Sequence, residues 1–192
     1  MALLDNPNKN IRKEAVQTLS KITAGTSGQI QTVIDAGALP KLIQLLQTGE
    51  FDIQRATARA LGNISGNGVE FRDLVLSSYA LPALLVQLAD RCTESSQLGS
   101  VCRAILTLCR GTAPSFNLIR LALPLLARLI HQELTTDVLK DAVWALSYLC
   151  DGPSDRIQIV IDAGVVPRLV ELLAHRSDAV ITPALRAVGK NI

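Results

Sequence analysis

The sequence predicts an all-α solenoid built from units of about 42 residues, and three observations predict it. Four short segments, "GALP" at 37–40, "YALP" at 79–82, "LALP" at 121–124 and "GVVP" at 164–167, align without gaps, and their prolines fall 42, 42 and 43 residues apart. The stretches between them carry helical apolar spacing and no strand-like alternation. Aromatic residues make up 3% of a chain that is 48% hydrophobic, so the core must be Leu, Ile, Val and Ala, which suits many short helices packed closely.

The elements follow in order. The chain opens with the last turn of a second helix and a complete third helix, a partial repeat over residues 1–27. Repeats at about 28–67, 68–111, 112–152 and 153–192 complete a single domain over 1–192. In each, a short helix such as "GQIQTVIDA" or "SDRIQIVIDA" ends near the Gly position. A second helix, as in "LPKLIQLLQ" and "VPRLVELLA", has its Pro just inside the start, where the missing N–H costs nothing. A longer third helix follows a polar turn, as in "FDIQRATARALGNISG" and "TTDVLKDAVWALSYLC". Three helices per unit, one very short, favour the armadillo pattern over the two-helix HEAT pattern. The expected fold is therefore a right-handed armadillo-repeat solenoid of about four repeats plus the N-terminal partial one. Gly37 and Gly164 suit a left-handed turn. Tyr79 and Leu121 hold the same place, where a non-Gly residue costs roughly 1–2 kcal/mol, so those turns are expected to differ in shape. Both ends look uncapped, which leaves Leu3, Leu4, Ile11 and the face around Val188 exposed or against a partner.

Composition excludes several function classes. A formal charge of +2, with no run of Lys or Arg, does not point to nucleic acid. Cys92, Cys102, Cys109 and Cys150 form no CxxC pair and have no nearby His, so they read as small buried thiols, and no metal or cofactor is expected. The longest apolar stretch, 118–130, is broken by Arg120, Pro124 and Arg128 and is too short to span a bilayer. With no signal peptide in view, the cytosol and nucleus are the expected compartments. His131 and His175 fall at the ends of second helices, where the helix dipole accounts for them. No catalytic residue is assigned and no enzyme is expected.

One aromatic pair stands out. Trp144, the only Trp, and Tyr148 are four residues apart and share a helical face, which is either core or a ligand surface. The repeat register bears on the choice. Equivalent i and i+4 positions of the five third helices are Gln17/Lys21, Arg59/Asn63, Arg103/Thr107, Trp144/Tyr148 and Arg186/Lys190. In an armadillo superhelix these helices line the concave groove, so the pairs would form a ladder facing a ligand.

The stretches "ITAGTSGQIQTVIDAGALP", "LGNISGNGVEFRDLVLSSYALPALLVQLA", "WALSYLCDG" and "VIDAGVVPRLVELLAHRSDAVITPALRAVGKNI" cover nearly the whole chain, and the sequence resembles the importin-α (karyopherin-α) family of nuclear-import adaptors. It looks like a truncated form spanning about the second to sixth repeats. The resemblance implies a mechanism. Successive Trp slots take the aliphatic stems of Lys side chains, Asn residues one turn later hydrogen-bond the peptide backbone, and acids at the rim neutralise the ammonium heads. It also implies extended, Lys/Arg-rich segments of cargo proteins as partners. The family's basic N-terminal segment is not seen, so importin-β recruitment is not expected of this chain. Trp144, Tyr148 and Asp141 match the family pattern, Asn63 matches a backbone-clamping Asn, and Arg186 a position where the family also places Arg.

The departures point the other way. Gln17, Arg59 and Arg103 stand where the family has Trp, Lys21, Thr107 and Lys190 where it has Asn, and Asn67 where it has an acid. A groove bearing Lys21, Arg59, Arg103, Arg186 and Lys190 repels a basic ligand. Two readings follow: signal-peptide binding that is weakened or degenerate, or a scaffold whose basic groove takes an acidic or phosphorylated partner.

Overall fold

The structure is a computed structural model that describes residues 1–47, 50–90, 95–111 and 115–189. Its contacts gather in two compact units, Met1–Leu108 and Cys109–Ile192, which are taken in turn.

In the N-terminal unit a short 3-10 turn, Ala2–Asp5, leads into α1 (Lys9–Ile22). Two full helix triplets follow: α2 (Ser27–Asp35), α3 (Ala38–Leu46) and α4 (Phe51–Gly66), then α5 (Val69–Ser77), α6 (Ala80–Asp90) and α7 (Ser95–Cys109). Local chemistry sets the starts. The Asn8 side chain accepts from the Asn10 N–H, and Thr26 with Gln29 forms a capping box that satisfies two otherwise orphaned donors. The long helices α1 and α4 pack on each other. Leu4, Val16, Leu45, Ile53 and Ala56 form one cluster of this core, each large aliphatic side chain contributing about 1.5–3 kcal/mol. Leu4 thus corrects an expectation: only 3% exposed, it tucks into that cluster, while Leu3 (58%) and Ile11 (39%) remain open. Gly62 lies where α4 meets α7, and a Cβ there would stand 3.2 Å from the Ala104 Cα.

A buried polar knot joins the two triplets of this unit. Gln54 and Gln87 both donate through Nε2 to the Leu46 carbonyl, and Gln97 donates to the side-chain oxygens of Gln54 (3.2 Å) and Gln87 (3.1 Å). All three glutamines are buried, and the amide oxygens of Gln54 and Gln87 and the last-turn carbonyl of α3 are satisfied together.

The C-terminal unit repeats the same order. α8 (Phe116–Ile119) runs through a 3-10 turn, Arg120–Ala122, into α9 (Leu123–Leu129), followed by α10 (Thr136–Leu149). Then come α11 (Ser154–Asp162), α12 (Val166–Glu171) with a 3-10 extension, Leu172–Ala174, and α13 (Asp178–Val188). Pro124 and Pro167 sit in the first turns of α9 and α12, as their spacing predicts. The long helices α10 and α13 pack together. Val188, expected on an open face, is 8% exposed, whereas Leu185 on the same helix is 60% exposed. Among the described residues the secondary structure is helical throughout, in an all-α armadillo fold.

The four inter-helix turns divide by residue type. Gly37 (φ 76°) and Gly164 (φ 72°) are left-handed, and Tyr79 is forced into the same region at φ 61°. Leu121 escapes it, because the chain there continues as a 3-10 turn. Tyr79 is 75% exposed and gains little by packing. Tyr79→Gly is therefore expected to stabilise the fold by about 0.5–1 kcal/mol, the relief of strain less the added freedom of the unfolded chain. A urea midpoint that fell instead would show that the ring contributes more than the strain costs.

Cys102, Cys109 and Cys150 are buried and outside any disulfide, and burial pushes the Cys109 thiol up to about 12. Cys92 and Lys190 lie outside the described residues.

Candidate peptide-binding faces of the long helices

In the N-terminal unit, α1 presents Gln17 and Lys21, α4 presents Arg59 and Asn63, and α7 presents Arg103 and Thr107. The cations Lys21, Arg59 and Arg103 are exposed. The two smaller polar residues are engaged elsewhere. Asn63, expected to clamp a ligand backbone, donates its amide to the Ser20 carbonyl of α1 (3.0 Å) and, more weakly, to Thr23 Oγ1 (3.5 Å). Both amide hydrogens thus face the chain itself, leaving Oδ1 as the group a ligand could use. Thr107 donates to the Ala104 carbonyl (2.8 Å) and shares a 2.6 Å hydrogen bond with Ser65. Asn67, at the family's acidic rim position, accepts from the Ser27 hydroxyl at 2.7 Å.

Gln17, Ser20, Lys21, Arg55, Ala56 and Arg59 line a small cavity of about 200 Å³ on α1 and α4. Arg55 is held by Asp52 (3.2 Å), which also pairs with Lys13. The Lys13 hydrogen bond, with the charges of Lys13 and Arg55, holds the Asp52 carboxyl below the usual carboxylate range despite some desolvation. Among the described residues, Lys21 and Arg59 have no ion-pair partner.

In the C-terminal unit, Trp144 and Tyr148 form the expected aromatic wall on α10, with ring centroids 5.9 Å apart and planes 29° from parallel. Both are half-buried with Arg186 in place against them. The Arg186 guanidinium, reaching across from α13, lies 4.7 Å from the Tyr148 centroid and 5.7 Å from that of Trp144. Its Nη2 donates to Asp151 Oδ2 at 2.6 Å. A flat cation thus lies on two aromatic faces with a carboxylate at its edge.

Asp141 lies on the same helix. Read as the groove acid, it is 3% exposed, although its position three residues before Trp144 and seven before Tyr148 places it on the same side of α10. Asp151, in the turn that follows α10, is the acid that pairs with Arg186. Its place directly after Cys150 in "LCDG" was visible, but nothing in the i, i+4 pattern marks a turn residue as a groove partner.

A family model for the armadillo/beta-catenin-like repeat matches residues 26–66, 115–151 and 153–190, more than half of the chain. The chain belongs to the armadillo-repeat family. Two of its relatives in sequence are importin subunit alpha-1a of Oryza sativa subsp. japonica, 49% identical over 177 residues, and importin subunit alpha-2 of Arabidopsis thaliana, 48% identical over 165. The alignments cover 92% and 85% of this armadillo chain but only 33% and 30% of those proteins, so the chain spans about a third of their length. Among solved structures, a designed armadillo repeat protein in complex with the peptide (KR)4 superposes with a TM-score of 0.91 at 27% identity, covering 100% of this chain and 80% of that one. Residues 68–111 lie outside the matched stretches yet carry the same short, short, long helix order in α5, α6 and α7.

Among the described residues, no group of three or more His, Cys, Asp or Glu is placed to hold a metal ion, and no helix is long and apolar enough to cross a membrane. His175 Nδ1 accepts from the Ser177 N–H at 3.0 Å, a local bond at the end of its 3-10 turn.

Proposed function

We propose that the chain is an importin-α-type adaptor that binds extended peptide segments of cargo proteins for transport between cytoplasm and nucleus, with reduced affinity for Lys-rich signals. One observation carries this reading: the Trp144–Tyr148 wall is built to take the stem and charge of a cation, and it holds one. Arg186 on those rings is an internal stand-in for a ligand Lys, with Asp151 as the counter-charge. A Lys-rich peptide therefore competes with Arg186 for the slot. Arg59 and Arg103, standing where the family has Trp, offer no aromatic face in the N-terminal unit. Sequence relatives named importin subunit alpha and a designed structural neighbour that binds (KR)4 support the choice of ligand class.

A second reading has its own support. Lys21 and Arg59 are exposed and lack acidic partners among the described residues, so the N-terminal unit favours an acidic or phosphorylated segment.

Titration with matched extended peptides, one Lys-rich and one Glu-rich, at low and at physiological salt separates the two, and Trp144 fluorescence reports occupancy of its slot. The first reading expects saturable binding of the Lys-rich peptide with a dissociation constant in roughly the micromolar range, weakened tenfold or more in Trp144→Ala, as befits loss of an aromatic hot spot. Absence of Lys-rich binding at both salt concentrations would refute it.

A further inference from the structure

We propose that the cavity between α1 and α4 is an oxyanion pocket that takes the phosphate of a phosphorylated serine or threonine on an extended partner segment. The proposal deepens the second reading above and rests on it. The wall of this cavity of about 200 Å³ carries three cationic side chains, Lys21, Arg55 and Arg59, and no carboxylate. Two of the three, Lys21 and Arg59, are without an ion-pair partner among the described residues, so their charge is not neutralised within the fold.

A second, independent observation points to a ligand. The Ser20 hydroxyl, in a residue that lines the same cavity and is only 3% exposed, is buried and finds no hydrogen-bond partner among the described residues. A buried hydroxyl without a partner is costly, and a bound oxyanion would satisfy it. Asn63 holds Ser20 in position by its bond to the Ser20 carbonyl. Asp52 likewise fixes Arg55, through one guanidinium nitrogen, which leaves the rest of the fork able to donate.

The donor set favours phosphate over carboxylate. Two guanidinium forks, an ammonium, a hydroxyl and the Gln17 amide outnumber the needs of a carboxylate's two oxygens but suit a dianion with three. Planar Arg forks match phosphate oxygens in pairs, and Lys adds a mobile point charge. No aromatic side chain lines the cavity, so it offers neither a slot for a Lys stem nor a platform on which a nucleic-acid base could stack. This favours a phosphorylated protein segment.

The test uses the full chain and one labelled extended peptide in three forms, with Ser, Glu or phosphoserine at the central position, read by fluorescence anisotropy. The phosphoserine form is expected to bind about tenfold or more tighter than the Ser form and to be displaced by inorganic phosphate. Arg59→Gln and Lys21→Gln, both at exposed positions, should each lower that affinity roughly tenfold. Lys41→Gln, which removes one positive charge from the same unit outside the cavity, should leave it unchanged. Three results would overturn the proposal in different ways. Phosphopeptide binding that survives both cavity variants but falls with Arg103→Gln removes this pocket and leaves the anion-directed reading standing. Equal binding of all three peptides removes both. Tighter binding of a single-stranded oligonucleotide than of the phosphopeptide removes the assignment to a protein partner.

Discussion

Arg186→Ala is expected to raise the affinity for a Lys-rich extended peptide roughly tenfold, a change of about 1.4 kcal/mol. The guanidinium rests 4.7 Å from the Tyr148 centroid and 5.7 Å from that of Trp144, and one face of a ring pair accepts one cation at a time. An incoming Lys must first displace it, and the cation–π contact given up is of the order of 0.5–2 kcal/mol. Its ion pair with Asp151 is half-exposed and adds little more once solvent screening is counted. Truncation at Cβ removes that competitor, lowers the local positive charge and turns Asp151 toward the ligand's ammonium, and all three effects share one sign. The cost to the fold is that same cation–π contact and the screened ion pair, since Arg186 Nε makes no further hydrogen bond that would be lost. Trp144 fluorescence during titration with the Lys-rich peptide measures the change. Weaker binding in Arg186→Ala would mean that the guanidinium touches the ligand and is part of the receptor surface instead of its competitor. Arg186→Lys separates charge from shape: it keeps the cation but loses the planar stack, so an intermediate affinity is expected.

The sequence was most informative where a single element decides the outcome. Proline placement marked the second helices, and helical spacing marked the shared face of Trp144 and Tyr148, because both depend on backbone geometry within one helix. It was less informative where two elements meet. Asn63 looked like a free backbone clamp, yet its amide is used by a carbonyl on α1, 43 residues earlier in the chain. Asp151 is 35 residues from the arginine it neutralises. Asp141 shares a helical face with Trp144, yet it is 3% exposed. Spacing along a helix tells which residues share a face and not which neighbour already occupies it. Tyr79 and Leu121 make the same point for the backbone. Both stand in the Gly slot, but one accepts the left-handed strain while the other avoids it through a 3-10 turn.

Stability is sensitive to a polar loss at Gln97. Gln97→Leu is expected to lower the unfolding free energy of the N-terminal unit by about 2–4 kcal/mol, since two buried amide oxygens lose their donor and each such loss costs about 1–3 kcal/mol. Those oxygens belong to Gln54 and Gln87, each 3% exposed, and they receive the Gln97 amide at 3.2 and 3.1 Å. Leucine is similar in volume, so cavity formation is a minor part of the loss. The companion variants isolate the polar cause. Gln54→Leu in the Gln97→Leu background removes one of the two stranded oxygens. It also leaves the Leu46 carbonyl with its remaining donor, Gln87, so the double variant should lose less than the two single changes add up to. The readout must report on the N-terminal unit, and Trp144 lies in the other one. Hydrogen exchange of the α4, α6 and α7 amides against urea gives the local free energy. A loss below about 1 kcal/mol for Gln97→Leu would mean that water reaches the stranded oxygens, and that the glutamines are positioned by the helices instead of holding them together.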